Sequence, residues 1–279
     1  MKLMKAFRSL YGSVRLLVML VSAMVDLAWQ QICQRGPLTL TQRTHWLQRW
    51  SSLVLRNLGV TPCIQGAPPP AGVIVSNHLS YLDILLFSAS VPCVFIAKSE
   101  IRKWPLLGWL ADGGGTLFID RNQRSESQSI GEQMLAVLEQ GVSIVFFPEG
   151  TSTDGSEVLR FHSSLFEYAV QAQVPVTAAC VSYASPDARV ARDVCYWGDM
   201  VLVPHLWKLN SIRSIVGNLV FSSGSSTFTD RRTAALTTHD EVAIMLQQMA
   251  PVLAEQTVRP VCIPRPPHPP TEVSKSWEH

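Results

Sequence analysis

From residue 73 onward, short uninterrupted apolar runs alternate with longer stretches in which apolar positions recur three or four residues apart. The first pattern is typical of strands buried on both faces of a sheet, and the second of amphipathic helices. The predicted strands are 73–75, 94–97, 116–119, 143–147 and 176–181, and the predicted helices are 81–89, 130–138, 165–172 and 242–249. This alternation predicts an α/β fold in which a mostly buried central sheet is flanked by helices.

Two apolar segments with helical character precede this pattern. In the first, residues 16–25 carry no charge, and Asp26 interrupts the run. A run of about ten to fourteen apolar residues is shorter than the roughly twenty that a helix needs to span a bilayer. The second segment, residues 40–58, carries an apolar stripe with Trp46 and Trp50, as expected for a helix that faces a core or a membrane.

The first apolar segment is open to three interpretations. It fits the apolar part of a signal peptide, a helix packed on the domain, or a helix lying in the membrane interface. The interfacial helix agrees best with the rest of the sequence, because the apolar run follows basic residues suited to lipid headgroups: Lys2, Lys5, Arg8 and Arg15.

The glycine and proline residues of segment 66–70 mark the entrance to the main domain. We therefore expect a membrane-associating helical segment at residues 1–66 and a catalytic domain at residues 67–258. Residues 259–279 are rich in proline and are predicted to lack a fixed structure.

The composition narrows the class of protein. Hydrophobic residues make up 47% of the 279 residues and charged residues only 16%, which predicts a globular protein with some surface not facing water. The net charge of +2 gives no support for nucleic-acid binding. The six cysteines include no C-x-x-C pair, so we expect free thiols in a reducing compartment, with disulfides only if the chain is exported.

The segment N-H-L-S-Y-L-D at residues 77–83 lies between a predicted strand and a predicted helix. His78 and Asp83 fit a general base and the carboxylate that orients it, because histidine titrates near neutrality and one ring nitrogen must stay free for the substrate. The segment also fits a structural role, in which Ser80 caps the helix and Asp83 favours its positive end. The spacing alone leaves both interpretations open.

The segment F-P-E-G-T at residues 147–151 follows another predicted strand. Pro148 ends the strand and Gly150 permits a tight turn, so Glu149 and Thr151 are presented at the edge where ligand sites gather in open α/β sheets. An ordinary exit from strand to loop is the structural alternative.

A third segment, G-G-G-T-L-F-I-D-R at residues 113–121, lacks the Lys-Ser/Thr ending of a phosphate-binding P-loop. Its Arg121 can offer a forked donor to a phosphate, or it can be a surface arginine beside Arg124.

The three segments, in this order and spacing, resemble the glycerolipid acyltransferase family, typified by bacterial 1-acylglycerol-3-phosphate acyltransferases. Residues 77–83 match the family's Asn-His-x-Ser-x-x-Asp block, and residues 115–121 its Gly-x-x-Phe-Ile-x-Arg block. Residues 147–151 match its Phe-Pro-Glu-Gly-Thr block, and residues 174–176 resemble a fourth block around a proline. The resemblance covers residues 70–200 and implies a single acyltransferase domain of α/β class.

The resemblance also implies a mechanism and its partners. An acyl-CoA or acyl carrier protein thioester donates the acyl group directly to a lysolipid hydroxyl, without an acyl-enzyme and without a metal or organic cofactor. The implied reaction involves no nucleic acid and is expected at the cytoplasmic face of the inner membrane. The implied general base is His78 with Asp83 as its partner, and the implied acceptor-binding residues are Arg121, Glu149, Gly150 and Thr151.

One position departs from the family pattern. The third block usually continues with an arginine, where this chain has Ser152. The loss of that cation weakens the case for a phosphate acceptor, although Arg124 or Arg160 can replace it. Residues 160–165 and 196–200 resemble a subset of the family that includes lyso-ornithine lipid acyltransferases, whose acceptor carries no phosphate.

The leading hypothesis from the sequence is conversion of lysophosphatidate to phosphatidate, and lyso-ornithine lipid acylation is the alternative within the family. A lipid-binding protein with a decayed catalytic domain is a rival from another class, against which the intact His78, Asp83 and Glu149 argue. An exported hydrolase is a further rival, but the sequence contains no G-x-S-x-G nucleophile motif to support it.

Overall fold

A computed structural model of the chain describes residues 2–104, 106–119 and 127–262. Its strands form one seven-stranded sheet, and helices lie on both faces of it. The strands are β1 (Val60–Gln65), β2 (Val73–Ser76), β3 (Cys93–Lys98), β4 (Leu117–Ile119), β5 (Ser143–Phe146), β6 (Val176–Ala184) and β7 (Ile215–Phe221). The predicted α/β fold with a buried central sheet is confirmed.

Alternate residues of the strands face two separate hydrophobic cores, because successive side chains of a strand point to opposite faces. In β2, Ile74 belongs to one core, and Val73 and Val75 belong to the other. The helices around these cores are α1 (Lys2–Gln34), α2 (Leu40–Asn57), α3 (Tyr81–Ser90), α4 (Leu107–Gly113), α5 (Ser127–Leu138), α6 (Glu167–Gln171), α7 (Val190–Asp193), α8 (Leu202–Leu209) and α9 (Arg231–Val258), with 3₁₀ turns at Ser99–Lys103 and Ser163–Phe166.

The strands are ordered β1-β7-β6-β2-β5-β3-β4 across the sheet. All neighbours are parallel except β6 and β7, which are antiparallel. β2 and β5 are adjacent, with Val75 opposite Phe146. Because parallel strands end at the same edge of a sheet, the segments that follow β2 and β5 emerge side by side.

Two strands of this sheet, β1 and β7, are absent from the sequence-based prediction. β1 has three exposed positions among its six residues and contains Pro62, which an edge strand tolerates. β7 contains Gly217 and Asn218, which interrupt its apolar run. β1 also falls within the segment assigned to the N-terminal helices, and its pairing with β7 makes residues 60–65 part of the sheet.

α1 is one continuous helix of 33 residues, with one side packed against α2 and α8. Leu16 and Leu27 are buried on that side. Asp26 does not interrupt the helix, because its carboxylate accepts a hydrogen bond from Trp50 Nε1 at 2.8 Å and pairs with Arg49. The charge is thus satisfied by α2.

The outer side of α1 is apolar and exposed along its whole length. By length and composition, Ala6–Gln34 could cross a membrane, a property that signal sequences share. The expectation that the apolar run is too short to span is therefore wrong, since the helix continues through Asp26. The exposed apolar side chains, together the outer face of α1, are Leu3, Met4, Phe7, Leu10, Tyr11, Val14, Leu17, Val18, Val21, Val25, Trp29 and Ile32.

The expectation of free thiols is wrong for one pair of cysteines, since Cys63 of β1 and Cys262 form a disulfide. The pair is brought together because Gln256, near the end of α9, exchanges two side-chain hydrogen bonds with Asn218 of β7, the neighbour of β1. Cys33, Cys93 and Cys195 are free thiols. Residues 263–279, most of the predicted tail, lie outside the described residues.

Candidate active site

The candidate site lies at the edge of the sheet where β2 and β5 end. The segment after β2 carries His78 and leads into α3, and the segment after β5 carries Glu149. The backbone holds the two segments together, because the Thr153 N–H donates to the His78 carbonyl at 2.9 Å. Two of the three sequence motifs therefore meet in one place.

His78 and Asp83 are in direct contact at this edge. His78 Nδ1 lies 2.8 Å from Asp83 Oδ2, a distance at which an Nδ1–H donates to the carboxylate. The Asp83 side chain is fully buried, whereas the His78 side chain is 22% exposed. A buried carboxylate thus orients the imidazole ring, and Nε2 is the ring nitrogen that takes no part in this contact.

Asp83 also has the structural role that its position predicts, at the beginning of α3. Asp83 Oδ2 accepts the backbone N–H of Leu79 at 2.6 Å and that of Ser80 at 3.0 Å. These bonds close the turn that begins α3, as an acidic residue does at the third position of a helix. The carboxylate therefore both holds the turn that carries His78 and orients its ring.

Strand β6 supplies two contacts to this segment that the sequence analysis missed. The side-chain amide of Asn77 bonds the backbone of Val181, donating to its carbonyl at 2.9 Å and accepting its N–H at 2.8 Å. The Tyr183 hydroxyl donates to Asp83 Oδ1 at 2.6 Å. The available signal was a tyrosine within a buried apolar strand, since its hydroxyl requires a partner.

Phe147 is a third contact that the sequence analysis missed, although it belongs to a recognised motif. Its ring stacks on the His78 ring, with 4.2 Å between centroids and 17° between planes. Because Asp83 fixes the edge of the imidazole and Phe147 covers one face, the orientation of the His78 ring is determined on two sides.

Glu149 is buried beneath the segment that carries His78, with only 3% of its surface exposed. Its carboxyl group accepts the backbone N–H groups of His78 and Leu159. Burial raises the pKa of Glu149 to about 8, although the two N–H groups oppose that rise. Within the described part of the chain, Oε2 has no hydrogen-bond partner. Glu149 therefore connects the loop of His78 with the loop of Leu159, and its Oε2 forms no hydrogen bond within the described residues.

The remaining predicted site residues lie differently. Gly150 adopts a left-handed conformation with φ of 72°, as the tight turn requires. Thr151 is exposed beside it. Arg121, and Arg124 with it, lies outside the described residues, so its place relative to His78 is not described.

Ser152, the position at which an arginine was expected, joins the site to a third loop. Its hydroxyl donates to the Tyr196 carbonyl at 2.5 Å, and the Tyr196 N–H donates to the Leu79 carbonyl at 2.8 Å. Tyr196 is thereby attached to the loop that carries His78 and to the loop that carries Ser152. Over residues 2–104, 106–119 and 127–262, no group of three acidic, histidine or cysteine side chains is arranged to hold a metal ion.

The comparisons with known proteins agree with this geometry. A family model described as Acyltransferase matches residues 64–182. A lyso-ornithine lipid O-acyltransferase of Pseudomonas aeruginosa is 35% identical over 215 residues, which are 74% of this chain and 80% of that protein. This chain belongs to the acyltransferase family. The family predicted from the three motifs is therefore confirmed, and the chain is an acyltransferase by class.

Two further members of the acyltransferase family bear on the acceptor and the fold. A 1-acyl-sn-glycerol-3-phosphate acyltransferase of Neisseria gonorrhoeae is 36% identical over 147 residues, 52% of this chain and 57% of that protein. The crystal structure of the 1-acyl-sn-glycerophosphate acyltransferase PlsC from Thermotoga maritima superposes with a TM-score of 0.67 at 19% identity, covering 89% of this chain and 97% of that one. At this identity the likeness concerns the acyltransferase fold.

Proposed function

We propose that this acyltransferase moves a fatty acyl group from an acyl-CoA or acyl carrier protein thioester to the hydroxyl of a lysolipid. The contact between His78 Nδ1 and the buried Asp83 carboxylate carries the proposal, because it leaves a basic ring nitrogen at the open edge of the sheet. Membership of the acyltransferase family supports the class of reaction.

In the proposed reaction, His78 Nε2 takes the proton of the acceptor hydroxyl while the hydroxyl oxygen attacks the thioester carbonyl. The ester C–O bond forms and the thioester C–S bond breaks. The proton held by His78 passes to the departing thiolate, so that the ring is neutral again at the end of the cycle. Asp83 stabilises the imidazolium formed in between.

Arg121, Glu149, Gly150 and Thr151 are proposed to bind the acceptor. Glu149 has the strongest structural support, because its unused Oε2 lies in the segment bonded to the His78 loop. With a pKa of about 8, its carboxyl group is mostly protonated at neutral pH, and because it is buried it supports the acceptor site by holding the His78 and Leu159 N–H groups.

For the acceptor, we propose a lysolipid without phosphate, of the lyso-ornithine lipid type. The more extensive similarity is to the Pseudomonas lyso-ornithine lipid enzyme, which this chain covers over 80% of its length against 57% for the Neisseria enzyme. Ser152 agrees with this choice, because it occupies the expected arginine position and its hydroxyl donates a hydrogen bond to the Tyr196 carbonyl. Lysophosphatidate is the second candidate, supported by the Neisseria relative.

Residues 1–66 are proposed to attach the catalytic domain, residues 67–258, to a membrane. The outer face of α1 supports this, and on α8, which contacts α1, Val203 and Trp207 are exposed as well. We place the enzyme at the cytoplasmic face of the inner membrane, where acyl-CoA and acyl carrier protein occur. The Cys63–Cys262 disulfide argues against that compartment, since cytosolic thiols are kept reduced.

The direct test offers the purified full-length chain an acyl thioester with lyso-ornithine lipid, lysophosphatidate or water alone. We expect ester formation with a lysolipid and, in His78→Ala, a loss of about 10²–10⁴-fold, the usual contribution of a general base. His239→Ala is the matched control, because His239 Nδ1 also contacts a carboxylate, that of Asp240 at 3.0 Å on α9. Full activity in His78→Ala, or thioester hydrolysis alone, contradicts the proposal, and no turnover of any substrate favours a lipid-binding protein.

The acceptor is tested separately with Ser152→Arg and Ser152→Ala. Both variants remove the bond to Tyr196, but only the arginine restores the cation. If Ser152 disfavours a phosphate, the arginine raises kcat/KM for lysophosphatidate relative to lyso-ornithine lipid by about tenfold, as expected for one hydrogen bond to a charged group. An equal ratio in the two variants removes Ser152 from the choice of acceptor.

A further inference from the structure

We propose that Tyr183 is a positioning residue for the acyl-transfer reaction, acting on His78 through Asp83. This inference rests on the proposed function of His78 as the base. Tyr183 lies on β6, outside the three motifs and 100 residues along the chain from Asp83.

The two oxygens of the Asp83 carboxylate have separate partners. Oδ2 faces the catalytic segment, where it accepts from His78 Nδ1 and from the Leu79 and Ser80 N–H groups. Oδ1 points to the sheet and accepts from the Tyr183 hydroxyl at 2.6 Å. Tyr183 is therefore the contact that fixes the far end of the carboxylate, and hence the direction in which Oδ2 meets the ring.

A second attachment to β6 holds the segment around Asp83 in place. Asn77, next to His78, is held to Val181 by two hydrogen bonds, and Val181 and Tyr183 point to the same side of β6. The catalytic segment is thus attached to β6 at both Asn77 and Asp83. Tyr183 is 4% exposed and Asp83 is fully buried, so water does not replace the hydroxyl readily.

The Tyr183 hydroxyl acts as a permanent donor. Burial, with the nearby Asp83 charge, raises its pKa well above the usual tyrosine range. Glu149 and Cys195 lie near Asp83, and Tyr81 lies near Tyr183; burial raises the pKa of each of these three groups. At acidic pH these three groups remain neutral, whereas His205, whose Nδ1 lies 2.9 Å from the Tyr81 hydroxyl, has a pKa lowered by burial, so its signal must be assigned separately.

Removing the hydroxyl has two consequences. Oδ1 is left without a donor in a buried site, so the carboxylate gains freedom to rotate away from His78. Without the Tyr183 hydrogen bond, the negative charge of the Asp83 carboxylate is also less stabilised at Oδ1 and interacts more strongly with the His78 ring. This favours the protonated form of that ring. The protonated ring is inactive as a base until a higher pH is reached.

The test is Tyr183→Phe in the full-length enzyme. We expect kcat to fall roughly tenfold, at the lower end of what partners of catalytic groups contribute, with KM for both substrates little changed. We also expect the acidic limb of the kcat/KM profile to move to higher pH. Tyr168→Phe is the matched control, since Tyr168 is half-buried on α6 and no hydrogen bond of its hydroxyl occurs among the described residues.

A second readout does not depend on turnover. The His78 ring is titrated by NMR in the wild type, in Tyr183→Phe and in Tyr168→Phe, and its signal is assigned by its loss in His78→Gln. The midpoint of the titration should be higher in Tyr183→Phe than in the wild type, and unchanged in Tyr168→Phe. An unmoved midpoint overturns the inference, whether or not activity falls, because a purely structural role lowers activity without changing the titration. Lack of activity in the wild type contradicts the proposed function instead and leaves the titration able to decide on Tyr183.

Discussion

The imidazole ring of His78 lies flat against the ring of Phe147, with 4.2 Å between their centroids. Phe147 is itself held by edge contact with Phe87 at 6.0 Å and by stacking with Phe95 at 6.4 Å. Phe147, the residue after β5, therefore fixes the plane of His78, the second residue after β2, although the two are about seventy positions apart in the sequence. The aromatic ring of the F-P-E-G-T segment thus positions the imidazole ring of His78.

Phe147→Leu should lower kcat about tenfold while KM changes little, because a leucine fills the space but leaves the imidazole free to tilt about its bond to Asp83. Steady-state kinetics with a saturating acyl thioester measures this. Phe166→Leu is the control, since Phe166 is fully buried in the other core and loses the same aromatic volume. Equal losses in the two variants would indicate a general effect on stability.

Asp83→Asn should reduce both activity and stability. Four donors converge on the carboxylate, from His78, Leu79, Ser80 and Tyr183, and an amide nitrogen cannot accept any of them. We expect a loss of about 10³–10⁴-fold in kcat from the wrong histidine tautomer and about 1–3 kcal/mol in the free energy of unfolding.

The control for that substitution is Asp240→Asn, which alters the exposed contact to His239 on α9. Initial rates and chemical denaturation are measured for both. Near-normal rates in Asp83→Asn would contradict the orienting role of the carboxylate.

Glu149→Gln should change how stability depends on pH. In the unfolded chain a glutamate loses its proton near pH 4.5, but the folded protein holds it until pH is about 8. Between these values the folded state binds more protons, so wild-type stability decreases as pH rises, by at most about 1.4 kcal/mol per pH unit. The Glu149→Gln variant should not show this decrease in stability with rising pH.

Urea denaturation at pH 5, 6.5 and 8 measures the slope for Glu149→Gln against the wild type. Glu139→Gln, an exposed position after α5, is the control and should keep the wild-type slope. Parallel slopes in the wild type and Glu149→Gln would mean that the carboxyl group titrates normally in the folded protein.

The outer face of α1 should bind lipid. Replacing Leu17, Val21 and Val25 together by serine removes apolar side chains that are 57%, 48% and 63% exposed, and leaves the packed side with Leu16 and Leu27 intact. We expect the variant to leave the membrane fraction and to lose flotation with vesicles, because burial of apolar surface in lipid is reduced.

The matched control for the α1 variant replaces three exposed apolar residues of α9 by serine, namely Leu236, Ile244 and Val258. Flotation should be unchanged in that control. If the α1 variant still floats with vesicles, the attachment lies elsewhere, and the exposed Val203 and Trp207 of α8 are the next positions to change.

The sequence predicted the strands whose apolar residues are contiguous, because burial on both faces removes the need for polar positions. β2, β3 and β5 were found for this reason. β1 and β7 were missed, since Pro62, Gly217 and Asn218 interrupt their patterns. Asn218 is acceptable in a buried strand only because Gln256 of α9 pairs with its amide, a partner that no local pattern reveals.

The sequence alone determined the class of chemistry, because His78, Asp83 and Glu149 stand in motifs whose residue types and order are specific to the acyltransferase family. The tertiary structure decided what surrounds those residues. The stacking of Phe147, the donor from Tyr183 and the bond from Ser152 to Tyr196 all join segments distant along the chain. Such contacts follow from the strand order β6-β2-β5, and strand order is set by packing rather than by local sequence.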